Sequence, residues 1–88
     1  MKETIRRIRQ MELYFDMINQ ALNIDMHFAK SDTHIISMIN ILTDYMESGQ
    51  WQKDYEADER GELPRDLKRG VLSQDGLYDL LERTKDVK

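Results

Sequence analysis

Between Trp51 and Glu82 the chain reads WQKDYEADERGELPRDLKRGVLSQDGLYDLLE. This stretch holds the only proline, three of the four glycines, the single tryptophan and a dense mixture of opposite charges. Its glycines, proline and serine read as helix punctuation. Trp51 and Tyr55 are four apart and share a face if Trp51–Arg60 is helical, and Gly61 then ends that segment. Leu63-Pro64 makes a junction. Pro64 suits the first turn of a short helix, Arg65 to Arg69, which Gly70 would close. Ser73 is placed to cap a last helix, with Asp75 in a first turn where an anion is favoured. Leu77, Leu80, Leu81, Thr84 and Val87 recur on one side of that helix with Tyr78 beside them. Lys85 and Lys88 stand near its C-terminal end, where the dipole favours cations.

Upstream, the spacing is helical. Ile5, Ile8, Met11, Phe15, Ile18 and Leu22 recur at intervals of three and four, and Met26 and Ala29 extend the stripe past Asp25. Tyr14, Met17, Ala21, Ile24 and Phe28 lie beside it, so the apolar face is wide. A helix of about 27 residues spans about 40 Å at 1.5 Å per residue. Ser31 and Asp32 break the pattern and can cap a second helix carrying Ile35, Met38, Ile39, Leu42, Tyr45 and Met46. Gly49 follows as a residue free to take positive φ and stop it. The short polar break at Lys30–Thr33 favours antiparallel neighbours.

The expected fold is therefore all-α: a long antiparallel helix hairpin over 1–49, a turn-rich segment with short helices over 50–72, and a terminal helix over 73–88. The terminal helix covers the apolar face that the hairpin would leave exposed, which makes a three-helix bundle in a single domain.

Composition narrows the function classes. Thirteen basic residues stand against seventeen acidic ones for a net charge of −4, which argues against nucleic acid, where affinity comes from neutralising phosphates. No cysteine is present, so disulfides and thiol chemistry are excluded. The N-terminal MKETIRRIRQ lacks the apolar core of a secretory signal, and no apolar run approaches the roughly 20 residues that span a bilayer. The simplest expectation is a cytoplasmic protein that uses neither membrane nor nucleic acid.

From Ser48 to Glu82 the order S-G-x-W-x-x-D-Y-E-A-D-E-x-G-x-x-P-x-D-L-K-R-G-V-L-S-x-D-G-x-Y-D-L-L-E resembles a family of small bacterial proteins described only as a domain of unknown function. The first helix, with MELYFDMINQAL at 11–22, is similar to the Met- and aromatic-rich helix that opens those proteins. The resemblance implies a small, soluble, helical bacterial protein. It carries over no catalytic residue.

No constellation in the residues points to catalysis. Neither Ser37 nor Ser73 has a triad setting, and carboxylate spacing alone singles out no acid/base pair. His27 and His34 straddle the break between the first two helices and have no metal-ligand spacing. The methionines read as gap-fillers of a core or, alternatively, as an adaptable partner-binding face. The run Asp54, Glu56, Asp58 follows positions 1, 3 and 5 of a calcium loop. It then puts Glu59 where glycine is needed and Arg65 where a bidentate glutamate is needed. No cofactor or metal is expected. The leading expectation is a non-enzymatic module that binds a protein partner or a second copy of itself. Its candidate surface is Trp51, Asp54, Tyr55, Glu56, Asp58, Glu59, Arg65, Lys68 and Arg69. The alternative is a small ligand- or metal-binding module using the acidic run 54–59 or the basic corner 65–76, where Lys68, Arg69 and the helix start at Ser73–Gly76 could hold an anion.

Overall fold

The computed structural model describes residues 2–85. Within them the chain forms four α-helices: α1 (Lys2–Ser31), α2 (Thr33–Glu47), α3 (Gln50–Glu59) and α4 (Gln74–Lys85), with a 3-10 turn at Gly70–Leu72. The expectation of three main helices is corrected to four, because the short helix expected at Trp51–Arg60 is a ten-residue α-helix, Gln50–Glu59. Val87 and Lys88, expected on the last helix, lie outside the described residues.

α1 is long, but it is not straight. At Asp25 the backbone leaves the helical region (φ −155, ψ 94), and the Asp25 Oδ1 accepts the Phe28 N–H at 3.0 Å. Asp25 thus acts as the cap of a final short helical piece within α1. Only Asp32 separates α1 from α2. Its carboxylate accepts the N–H groups of His34 (2.8 Å) and Ile35 (3.3 Å), which satisfies donors that would otherwise be orphaned at a helix start.

Two glycines do the work expected of them. Gly49 (φ 87) lets the chain leave α2 and enter α3. Gly61 (φ 72) closes α3: its N–H donates to the Asp58 carbonyl, and the Glu62 N–H reaches the Ala57 carbonyl at 3.1 Å. Ser73 caps α4 through its Oγ, which accepts from the Gly76 N–H at 3.2 Å.

The expected helix Arg65–Arg69 does not form, and Arg69 supplies the physical reason. Its guanidinium donates to the carbonyls of Pro64, Arg65 and Leu67, which satisfies them in a turn rather than along a helix. Leu63 and Leu67 bury their side chains from this irregular stretch. Gly70 accordingly stops no helix. A Cβ there would come within 2.9 Å of Glu12 Oε2 and 3.2 Å of Phe15 Cε2, so the residue is small because α1 passes close by.

α1 packs on α2, on α4 and on the 3-10 turn, while α3 packs on α2 and the same turn. The core is contributed by every element, with Ile8, Ile18, Leu42, Val71, Leu77 and Leu80 all but sealed from water. Burying one such side chain contributes about 1.5–3 kcal/mol. The expected stripe is inward at Ile8, Ile18, Leu22 and Ala29. Of the side chains set beside it, Met17, Ile24 and Phe28 point to water, as does Met26. Tyr78, expected against the terminal helix's core side, is 57% exposed.

Candidate interaction surface

The residues singled out in the sequence do not form one surface. Trp51 is only 5% exposed. Its ring stacks on half-buried Tyr55 with centroids 5.1 Å apart, and its indole N–H donates to the Val71 carbonyl at 2.9 Å. Asp54, 1% exposed, lies deeper still. Asp58 sits at the edge of the fold and pairs with Arg69 Nε at 2.6 Å. Glu56, Glu59, Arg65 and Lys68 remain exposed. The dense opposite charges of 54–69 therefore split into buried or half-buried clamps and seven exposed side chains, of which Arg60 and Glu62 pair with each other.

Asp54 is the hub of the first clamp. Its carboxylate accepts from Arg7 Nε at 2.9 Å and from a second guanidinium nitrogen, and it also accepts a 2.6 Å hydrogen bond from the Tyr45 hydroxyl. This two-pronged geometry suits the planar guanidinium. The bond to Asp54 holds the Arg7 guanidinium charged beyond its ordinary range, against the opposing effect of partial burial. Burial first, and then the bond to Asp54, hold the Tyr45 hydroxyl protonated far above its ordinary value. One side chain thus ties α1, α2 and α3 together.

Glu12 is the hub of the second. It is a buried residue of α1 whose Oε1 accepts the Val71 N–H at 2.7 Å. The Val71 peptide is held on both sides, since its carbonyl takes the Trp51 indole. Burial pushes the Glu12 carboxyl up; the Val71 N–H opposes this, nearby Asp16 adds to it, and Lys68 works against it. Glu12 also borders a cleft of about 260 Å³ lined by Arg9, Leu13, Asp16, Asp66, Leu67 and Lys68. The basic corner 65–76 contributes Lys68 to this cleft. Among the described residues, no group of three or more His, Cys, Asp and Glu is arranged to hold a metal ion.

The surface feature that the sequence reading did not isolate is the outer side of α1. Leu13, Met17, Ile24 and Phe28 are all exposed there, Ile24 by 85% and Phe28 by 60%. Leu13, Met17 and Ile24 are separated by four and seven residues and form a narrow stripe opposite the buried Ile8, Ile18 and Leu22, and Phe28 follows beyond the break at Asp25. A signal for it was present: α1 holds more large apolar residues than one face can take. Scattered exposed apolar side chains are ordinary, but an aligned row of them on one helix is not.

The fold and these sites define an all-helical protein clamped by buried polar hubs at one end and bare of apolar partners along the outside of its first helix. Residues 8–87 match the family described as Domain of unknown function (DUF4298). The chain belongs to that family. No curated protein and no solved structure matches it. Among the described residues, no helix is long and apolar enough to cross a membrane.

Proposed function

We propose that the chain is a non-catalytic protein-interaction module that docks another polypeptide on the outer face of α1. The observation that carries this reading is the row Leu13, Met17, Ile24 and Phe28, exposed on a helix whose opposite side is already filled by the core. A helix apolar on two sides is stable in water only at the expense of that second face, and covering it releases free energy at about 25 cal/mol per Å². The conspicuous ionisable groups fit the same reading, because Arg7, Tyr45 and Asp54 spend their hydrogen bonds on one another and Glu12 spends one on Val71. The test uses the parent and an Ile24→Asp/Phe28→Asp variant as paired baits in a lysate of the source organism, with light scattering of both. A protein retained by the parent and lost by the variant is the expected result. A strictly monomeric parent that retains nothing the variant does not retain would sink the reading.

A second reading is favoured by one observation, the buried Glu12 carboxyl beside Lys68 in the cleft. There the chain would bind a small polar ligand instead. The acidic run supports this less, since Asp54 and Asp58 are engaged by Arg7 and Arg69. Calorimetric titration with calcium, magnesium, manganese, zinc and phosphate compounds decides it, and flat traces remove the second reading.

A further inference from the structure

Resting on that docking reading, we infer that the occupant of the outer face of α1 is an amphipathic helix with carboxylates clustered at one end, and not a second copy of this chain. The stripe does not stop at Leu13. Lys2, Arg6 and Arg9 continue it toward the N-terminus at steps of four, three and four, and all three are exposed. None of them has an ion-pair partner among the described residues. One seam is therefore cationic over its first turns and apolar at Leu13, Met17 and Ile24, with exposed Gln20 between the last two and Phe28 beyond the break at Asp25. Arg7, one residue away from this seam, is turned inward and neutralised by Asp54. The seam's cations are thus the ones α1 leaves for something else.

The charge order selects the occupant. Two copies paired in parallel would set three cations against three cations. Paired antiparallel, they would lay those cations over Ile24 and Phe28 of the other copy. The acid close by, Asp25, would set a single negative charge against three cations. A membrane surface fits no better. A helix lying in a lipid interface carries a broad apolar face flanked by bases along its length. Here the stripe is the narrow seam of helix–helix packing, with exposed Gln10, Gln20 and Asn23 close to it and its bases at one end only. A helical partner with apolar side chains every three to four residues, and Asp or Glu at the end facing Lys2–Arg9, satisfies both halves at once.

The test needs only synthetic helices. Two labelled amphipathic peptides share a leucine seam and differ in carrying three Glu or three Lys at one end. Their binding is followed by fluorescence anisotropy at low and high salt. The Glu-ended peptide should bind the parent about tenfold tighter at low salt, and the difference should shrink at high salt. Lys2→Glu/Arg6→Glu should reverse the order of the two peptides. Glutamates suit a helix's first turn, so this variant keeps α1, and the salt series on the parent gives the answer without it. Equal binding of both peptides would overturn the carboxylate-ended partner while leaving the docking face standing. Binding of neither would sink the docking face as well. Co-sedimentation of the parent with phosphatidylserine vesicles, or a dimer in sedimentation equilibrium abolished by Ile24→Asp, would replace the inferred occupant with a membrane or a second copy.

Discussion

The two ends of the molecule are held by different physics. At the base, where α1 begins and α2 ends, side chains far apart in sequence meet in buried polar contacts: Arg7, Tyr45 and Asp54 in one hub, Glu12, Trp51 and Val71 in the other. At the tip, where α1 turns into α2, the described side-chain hydrogen bonds are local ones, made by Asp25, Ser31 and Asp32 to backbone groups two or three residues away. The apolar packing of Leu22, Ala29, Ile35 and Met38 holds the tip, with Ile24 and Phe28 left outside. A buried polar hub tolerates only one arrangement, because an unpaired member is costly. Apolar packing tolerates many. The base therefore sets which helices meet and in what register, while the tip is left open to change.

The contrast is broken most severely at Trp51. Trp51→Ala removes a stacked ring and the donor to Val71, and should cost roughly 3–5 kcal/mol in chemical denaturation. A variant within error of the parent would mean that the base is not held as described. Asp54→Ala leaves Arg7 and Tyr45 without their shared acceptor. It should cost about 2–3 kcal/mol, below the figure for a fully buried pair because Arg7 is partly exposed. Denaturant midpoints of Arg7→Met/Asp54→Leu beside the single variants measure the coupling, and additive losses would show that there is no hub.

Glu12 sharpens the comparison through pH. Its folded value lies above its unfolded one, so the folded state binds more protons. The contribution of Glu12 to stability is then greatest below the ordinary carboxylate range and falls as pH rises through the folded value. Glu12→Gln keeps an oxygen for the Val71 N–H and cannot ionise. The parent should lose stability relative to this variant as pH is raised toward neutrality, and parallel melting profiles across that range would contradict the assignment. The smallest effect belongs to the tip: Ile24→Ser should leave the melting midpoint within about 0.5 kcal/mol of the parent. A loss of 2 kcal/mol or more, on the scale of burying a whole side chain, would show that Ile24 is inside.

Much of the architecture was legible because it depends on local chemistry. Asp32, Gly49, Gly61 and Ser73 end or start helices for reasons contained within a few residues, and Ile8, Ile18 and Leu22 declare an inner face by spacing alone. What was not legible depends on distance or on phase. The Arg65–Arg69 helix failed because one guanidinium gathers three carbonyls, which no propensity anticipates. Glu12 reads as a surface acid until Val71 is seen above it. Ile24 lies opposite Ile18 and Leu22 by helical phase, and Phe28 follows the break that Asp25 makes. Of the candidate surface, Glu56, Glu59, Arg65 and Lys68 are exposed. Trp51 and Asp54, set on the candidate surface, are buried in the structure and hold the inside.

The Glu12–Val71 bond also sets an order of events in time. It joins residues 59 apart in sequence, and the Arg7–Asp54 pair joins residues 47 apart. During synthesis α1 and α2 emerge first, with Glu12 hydrated and ionised and Arg7 without its carboxylate. Those helices can already meet through local apolar contacts, while the Glu12 hub stays open until Val71 has been added. Closing it draws a charged carboxyl out of water in a single late step. The first two helices, just over half of the chain, can therefore meet before α3 and the 3-10 turn bring the groups that latch the base.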